Sequence, residues 1–225
     1  VLVTLFDLDE RRRRQIDREA DRRPWLIAQR DLGYLLHYEL QTWDQAALEA
    51  WLEAEHLTAP GLYVKIAKKG SGVPSVNWEQ MVEVLLCFGW IDGRANRLDE
   101  SFYLQRITPR RAKSVWSLKN VATVERLIAE GRMRPAGLAA VEAAKADGRW
   151  ERAYAGPATM TVPDDLAAAL DAVPAARAAF DALTGQDRYA VLWRVSTAAT
   201  DATRAKRIAA AVEQLAAGGT PDQPA

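Results

Sequence analysis

One helix sets the terms for this chain. Between Trp78 and Phe88 the apolar residues Met81, Val82, Leu85, Leu86 and Phe88 span a wide helical arc. A helix apolar over that much of its circumference cannot lie on a surface, so it must be central, with other elements laid around it. Ser75 or Asn77 is placed to cap its start, and Gly89 is a natural terminator. On both sides the pattern switches. LYVKIA, from Leu62 to Ala67, alternates and is rich in β-formers, which predicts a strand. KKGSGVP, from Lys68 to Pro74, is loop by composition. After Gly89, Trp90 and Ile91 open a second strand and Asp92-Gly93 reads as a turn. Phe102 to Thr108 is the strand that pairs back, ended by Pro109.

The flanks are helical. Thr42 with Gln45 three residues on makes a capping box, and Trp43, Ala47, Ala50 and Trp51 fall near one face of the helix that follows. It ends around His56, ahead of Pro60-Gly61. Ser117 caps a helix from Leu118 to Glu130 whose stripe is Val121, Val124, Leu127 and Ile128. Pro135, at a favoured first helical position, opens another that stops at Gly148. Beyond AGPATMTVP the composition turns Ala-rich. Helices are expected from Asp164, from Pro174, after Gly185, and from Thr200 or Asp201 to Gly218.

These segments predict an α+β fold, predominantly helical, with a small antiparallel sheet (Leu62–Ala67, Trp90–Arg94, Phe102–Thr108) packed with helices. A C-terminal helical subdomain follows. The expected organisation is an N-terminal extension over 1–40, an α+β core domain over 41–154, a linker at 155–163, a helical subdomain at 164–217, and a disordered tail at 218–225. In element order, helix–strand–helix–hairpin resembles a winged-helix arrangement, which by itself says nothing of function.

Composition narrows the chemistry. Cys87 is the single cysteine and His37 and His56 are the two histidines, so no internal disulfide can form and a structural Cys/His zinc site is nearly excluded, while a carboxylate-based metal site stays open. No cofactor is called for. The N-terminal apolar residues meet Asp7, Asp9 and Glu10 before Arg11–Arg14, the reverse of a signal peptide's order, and no segment reaches membrane-span length. The expected location is cytoplasmic. The net charge is zero overall but unevenly spread: −4 over residues 1–64, +5 over 65–119 and −1 over 120–225. The positive excess marks where an anionic partner would bind.

Within that basic stretch, Lys65, Lys68 and Lys69 lead into a Gly-Ser-Gly loop whose N–H groups are able to line an anion. KKGSG lacks the spacing of a nucleotide-binding P-loop. Arg94, Arg106, Arg110 and Arg111 lie on the hairpin and the corner after it, approaching Trp116. Arginine forks bind phosphate or carboxylate and a Trp ring offers a stacking face. Asp92 is either a structural turn residue or an acid. Trp78, Trp90 and Trp116 are expected in the core, Cys87 as an inert buried thiol, and His56 as a helix-end residue.

GLYVKIAKKGSGVPSVNWEQMVEVLLCFGWIDG, RITPRRAKSVWSLKNVATVERLIAEGRM and RYAVLWRVSTAATDATRAKRI together resemble the YdeI/OmpD-associated, or bacteriocin-protection, family over about Thr42 to Ala217. The resemblance implies a part in tolerance of antimicrobial peptides and envelope stress. It carries no catalytic residue over, and family members have been described as periplasmic. The expectation is a non-enzymatic protein that binds an anionic ligand or peptide on its basic-aromatic surface. Two alternatives stand beside it: nucleic-acid binding through the hairpin and the Arg110-Arg111 corner, and a small-molecule enzyme with Asp92 as acid or base.

Overall fold

The computed structural model describes residues 43–219. The expected N-terminal extension, Thr42 (expected as a cap, a place Asp44 takes) and the tail beyond Gly219 lie outside the described residues. Those described form a helix-rich α+β fold with one three-stranded antiparallel sheet. They divide into two compact units. The first comprises residues up to Arg111 together with Glu130–Ala140; the second comprises Ala112–Ala129 and the chain from Val141 on.

In the first unit the elements are α1 (Gln45–Glu55), β1 (Leu62–Ala67), α2 (Trp78–Cys87), β2 (Trp90–Arg97) and β3 (Phe102–Pro109). Asp44 caps α1 by accepting from the Ala47 N–H at 2.8 Å. Asn77, not Ser75, caps α2 in a full capping box with Gln80. Six of the ten α2 residues are buried (Met81, Val82, Val84, Leu85, Leu86 and Cys87), as its wide apolar arc requires. A chain of indoles joins α1 to β2: Trp43 lies 6.2 Å from Trp51, which meets Trp90 edge-on at 5.7 Å. Trp90 donates from Nε1 to the His56 carbonyl. His56 itself is the C-cap of α1 and its Nδ1 lies 2.7 Å from the Leu52 carbonyl oxygen.

A further helix, α4 (Pro135–Ala146), starts against the end of α2. The Arg134 N–H donates to the Cys87 carbonyl at 3.0 Å, which satisfies one of the acceptors a helix end leaves open. Gly137 makes this approach feasible, because a Cβ there would sit 2.2 Å from the same carbonyl oxygen.

The sheet order is β1-β3-β2. Residues directly opposite share a face, so register fixes which side chains go together. Leu62, Val64, Ile66 and Ile107 share the covered face and are all buried. The hairpin departs from expectation. Asp92-Gly93 is no turn; it belongs to β2, which runs on to Arg97. Asp92 pairs with Ile107 and Ala95 with Gln105, so Gly93 and Arg94 together oppose Arg106 in a β-bulge. The buried Gln105 amide donates to the Gly93 carbonyl at 2.6 Å and so satisfies an acceptor the bulge takes out of the ladder. The reversal lies at Leu98–Ser101, where the Asp99 carboxylate accepts from the N–H groups of Ser101 and Phe102.

The second unit contains α3 (Leu118–Ala129) and the helices α5 (Asp164–Asp171), α6 (Pro174–Asp181), α7 (Gly185–Ser196) and α8 (Asp201–Ala216). Val124 and Leu127 of α3 are buried, while Ile128, expected in the same stripe, is exposed. Trp116 is buried and lies 4.9 Å from Trp150. Beside it Tyr154 exchanges backbone bonds with Trp116 and Leu118. The α5–α8 core is Leu166, Leu170, Phe180, Val191, Leu192, Val195, Ile208 and Leu215, with Ala176. Thr184 and Thr200 cap α7 and α8. Arg204 of α8 holds Asp165 of α5 through Nε (2.6 Å) and Nη2 (2.8 Å), and reaches the Val195 carbonyl with Nη1.

Candidate functional site

The face of the sheet opposite Leu62, Val64 and Ile66 carries the basic residues that register brings together, half-buried around the buried Leu104. Tyr63 pairs with Arg106 and Lys65 with Leu104, so Tyr63, Lys65, Phe102, Leu104 and Arg106 alternate onto this one face. The cations lie against rings. Lys65 Nζ is 4.2 Å from the Phe102 centroid and the Arg106 guanidinium is 5.1 Å from that of Tyr63. A cation over an aromatic face is drawn by the ring quadrupole and stays open to an anion on its other side. Neither Lys65 nor Arg106 makes a salt bridge among the described residues.

The backbone has been cut back around Arg106. Gly93 of the bulge stands opposite, and Gly61 lies where a Cβ would come within 2.6 Å of Arg106 Nη2. The guanidinium thus occupies the space a side chain at Gly61 would need, while a Cβ at Gly93 would make only ordinary contact with the Arg106 stem, at 3.6 Å. At the far end of the same strands Lys68 donates to the Asp99 carbonyl oxygen at 2.6 Å. Burial pushes the Asp99 carboxyl up, but the Ser101 and Phe102 N–H groups, with Lys65 and Lys68, outweigh it and hold Asp99 below its ordinary range.

The remaining expected residues go elsewhere. Asp92 shares Ile107's face, opposite to Lys65 and Arg106, and accepts from Trp78 Nε1 at 3.1 Å. Trp78 is not in the core: it is 37% exposed, at the first position of α2. Lys69 and Arg94 are exposed, on the loop and the bulge. Arg110 follows β3, its N–H donating to the Gly89 carbonyl and its Nε and Nη2 shielded from solvent. Arg111 is exposed. Trp116 is a buried ring of the second unit. Cys87 is buried, and that burial pushes its thiol up, away from the reactive thiolate. Tyr63 and Phe102, the rings under the two cations, were not anticipated; their signal is the alternation LYVK and FYLQR, which needs a register to become a surface.

Among the described residues no His, Cys, Asp and Glu side chains gather as a metal site, and no helix is long and apolar enough to cross a membrane.

Residues 159–218 match the family described as Bacteriocin-protection, YdeI or OmpD-Associated. Residues 40–140 match a different family, described as Domain of unknown function (DUF8412). Neither match spans half of the chain. The YdeI/OmpD-associated likeness expected over Thr42–Ala217 is therefore found in the α5–α8 helices, while the GWIDG and TPRR segments fall in the other match. No curated protein and no solved structure matches the chain.

Proposed function

We propose that this protein acts by binding, without catalysis, and that its ligand is anionic and sits between Lys65 and Arg106 on the face of the sheet that carries them. The biological setting we infer is the one named by the family of residues 159–218, protection against bacteriocins or other antimicrobial peptides and tolerance of envelope stress. The observation that carries the binding reading is that two half-buried cations lie against Phe102 and Tyr63 on one face of the sheet and make no salt bridge among the described residues. Lys65 acts on Asp99 only through its field. Arg106 supplies a planar fork and Lys65 a point charge, a combination suited to phosphate or carboxylate. Asp92, bound to Trp78 on the other face, takes no part.

The test is a thermal-shift screen of the full chain with phosphates, nucleotides and anionic peptides. Any stabilising ligand is then repeated on Lys65→Met and Arg106→Met. Loss of the shift in both variants supports the reading; an unchanged shift, or none with any anion, overturns it. Fluorescence anisotropy with duplex and single-stranded DNA separates the nucleic-acid alternative, whose affinity would fall steeply with salt. The exposed positions of α2 include Glu79, a poor choice for a helix approaching phosphates.

A further inference from the structure

A groove of about 720 Å³ runs between α5 and α8 in the second unit. Its lining is mostly apolar, with Ile208, Ala169, Val173, Ala209 and Val212, and is joined by Asp201, Glu213 and the cation Arg204. A third carboxylate, Asp165, is already neutralised by Arg204. The side chains of Asp201 and Glu213 make no hydrogen bond or salt bridge among the described residues, and Asp201 feels Arg204 only through its field. They stand twelve residues apart on α8, roughly 18 Å at the helical rise. The groove is therefore long enough for about three turns of a docked helix, with a negative charge near each end. The alanine floor allows close approach of a second helix, as small residues do wherever helices pack tightly.

We propose that this groove docks a cationic amphipathic helix from a peptide partner, its apolar stripe on Ala209 and Val212 and its basic residues at Asp201 and Glu213. The charges select this occupant over others. A small apolar molecule would leave both carboxylates unmatched. A second copy of the chain, its α8 laid antiparallel on the first, would set Asp201 against the other copy's Glu213, two like charges. The proposal is independent of the Lys65–Arg106 reading, since the two surfaces share no residue.

The experiment uses the full chain and a fluorescein-labelled synthetic helix of about four turns, with lysines at both ends and a leucine-alanine stripe between. Its counterpart has glutamates in place of the lysines. The basic peptide is expected to bind, more weakly as salt rises. Its affinity should fall several-fold, on the order of 5-fold, in Glu213→Lys, and binding should be lost in Ala209→Trp, which fills the floor. The acidic peptide should not bind. Both substituted positions are exposed on α8, and thermal unfolding of the variants reports that the fold is retained; Glu213→Lys alone suffices if Ala209→Trp fails to fold. Lys65→Met/Arg106→Met should bind the peptide like the parent, so failure of one reading leaves the other intact. Equal binding of both peptides, no binding, or indifference to Glu213→Lys overturns the proposal. So does a concentration-dependent dimer in sedimentation that Ala209→Trp abolishes, which would assign the groove to a second copy.

Discussion

Arg134 donates from Nε to the Glu53 carboxylate at 2.9 Å and reaches Glu49 with Nη2, so one side chain just ahead of α4 fastens two turns of α1. Its guanidinium also lies 5.6 Å from the Phe88 ring. Each half-exposed ion pair is weak alone, but here fork and ring act through a single group. Arg134→Ala should lower unfolding free energy by about 1 kcal/mol in urea titrations. Arg134→Lys should recover only part of this, since an ammonium cannot span both glutamates in the same fixed geometry. Full recovery by lysine would show that the fork is irrelevant.

Gly137 offers a sharper test of the α2–α4 junction. The Cβ of Gly137→Ala would lie 2.2 Å from the Cys87 carbonyl oxygen, and both partners are backbone, with no flexible end to yield. The expected cost is about 1–3 kcal/mol, that of an overpacked contact. Gly156→Ala, where nothing lies within 4 Å, should stay within about 0.5 kcal/mol of the parent. Equal stability of the two variants in thermal unfolding would remove the junction from the account.

The α5–α8 helices should show an acid-sensitive ion pair. The Arg204 hydrogen bond, then the Leu166 N–H, hold the Asp165 carboxyl below its usual range despite the opposing effect of burial. A carboxylate lowered in the folded state stabilises above its unfolded value, and this is lost as pH falls through the folded one. Asp165→Asn should therefore be less stable than the parent near neutrality, with the gap closing as pH drops below about 3.9. A gap that persists unchanged to low pH would assign it to packing.

Much of the first unit was legible because its signals are local. The wide apolar arc of Met81 to Phe88 forces a buried helix in almost any context, and LYVKIA fixes β1 at Leu62–Ala67 by alternation alone. What failed needed a partner strand. Asp92-Gly93 has the composition of a hairpin turn, but its glycine serves a bulge opposite Arg106, and the true reversal uses Asp99 with no glycine. Trp78 looked like core by residue type, yet at the first position of α2 its ring turns outward to Asp92. The same limit governs the site. Lys65, Arg106 and Asp92 are close in composition and charge run, and only the pairing Tyr63↔Arg106 and Asp92↔Ile107 puts the cations on one face and the acid on the other.

Gly61 ties the fold to the candidate site, and its substitution separates two effects. Its φ of +148° disfavours any side chain, and a Cβ would meet Arg106 Nη2 at 2.6 Å and the Ile107 carbonyl oxygen at 2.8 Å. The guanidinium is the end of a flexible side chain and will move; the carbonyl is held in the β1–β3 ladder and will not. Gly61→Ala should thus push Arg106 off the Tyr63 ring and cost about 1 kcal/mol of stability through backbone strain. In an Arg106→Ala background the stability loss should persist nearly in full, because the strain and the Ile107 contact remain. Anion affinity, by contrast, should fall in Gly61→Ala to the level of Arg106→Ala and drop no further in the double variant. If Arg106→Ala instead rescues the stability of Gly61→Ala, the guanidinium is the rigid partner, and it is anchored by something stronger than the Tyr63 ring.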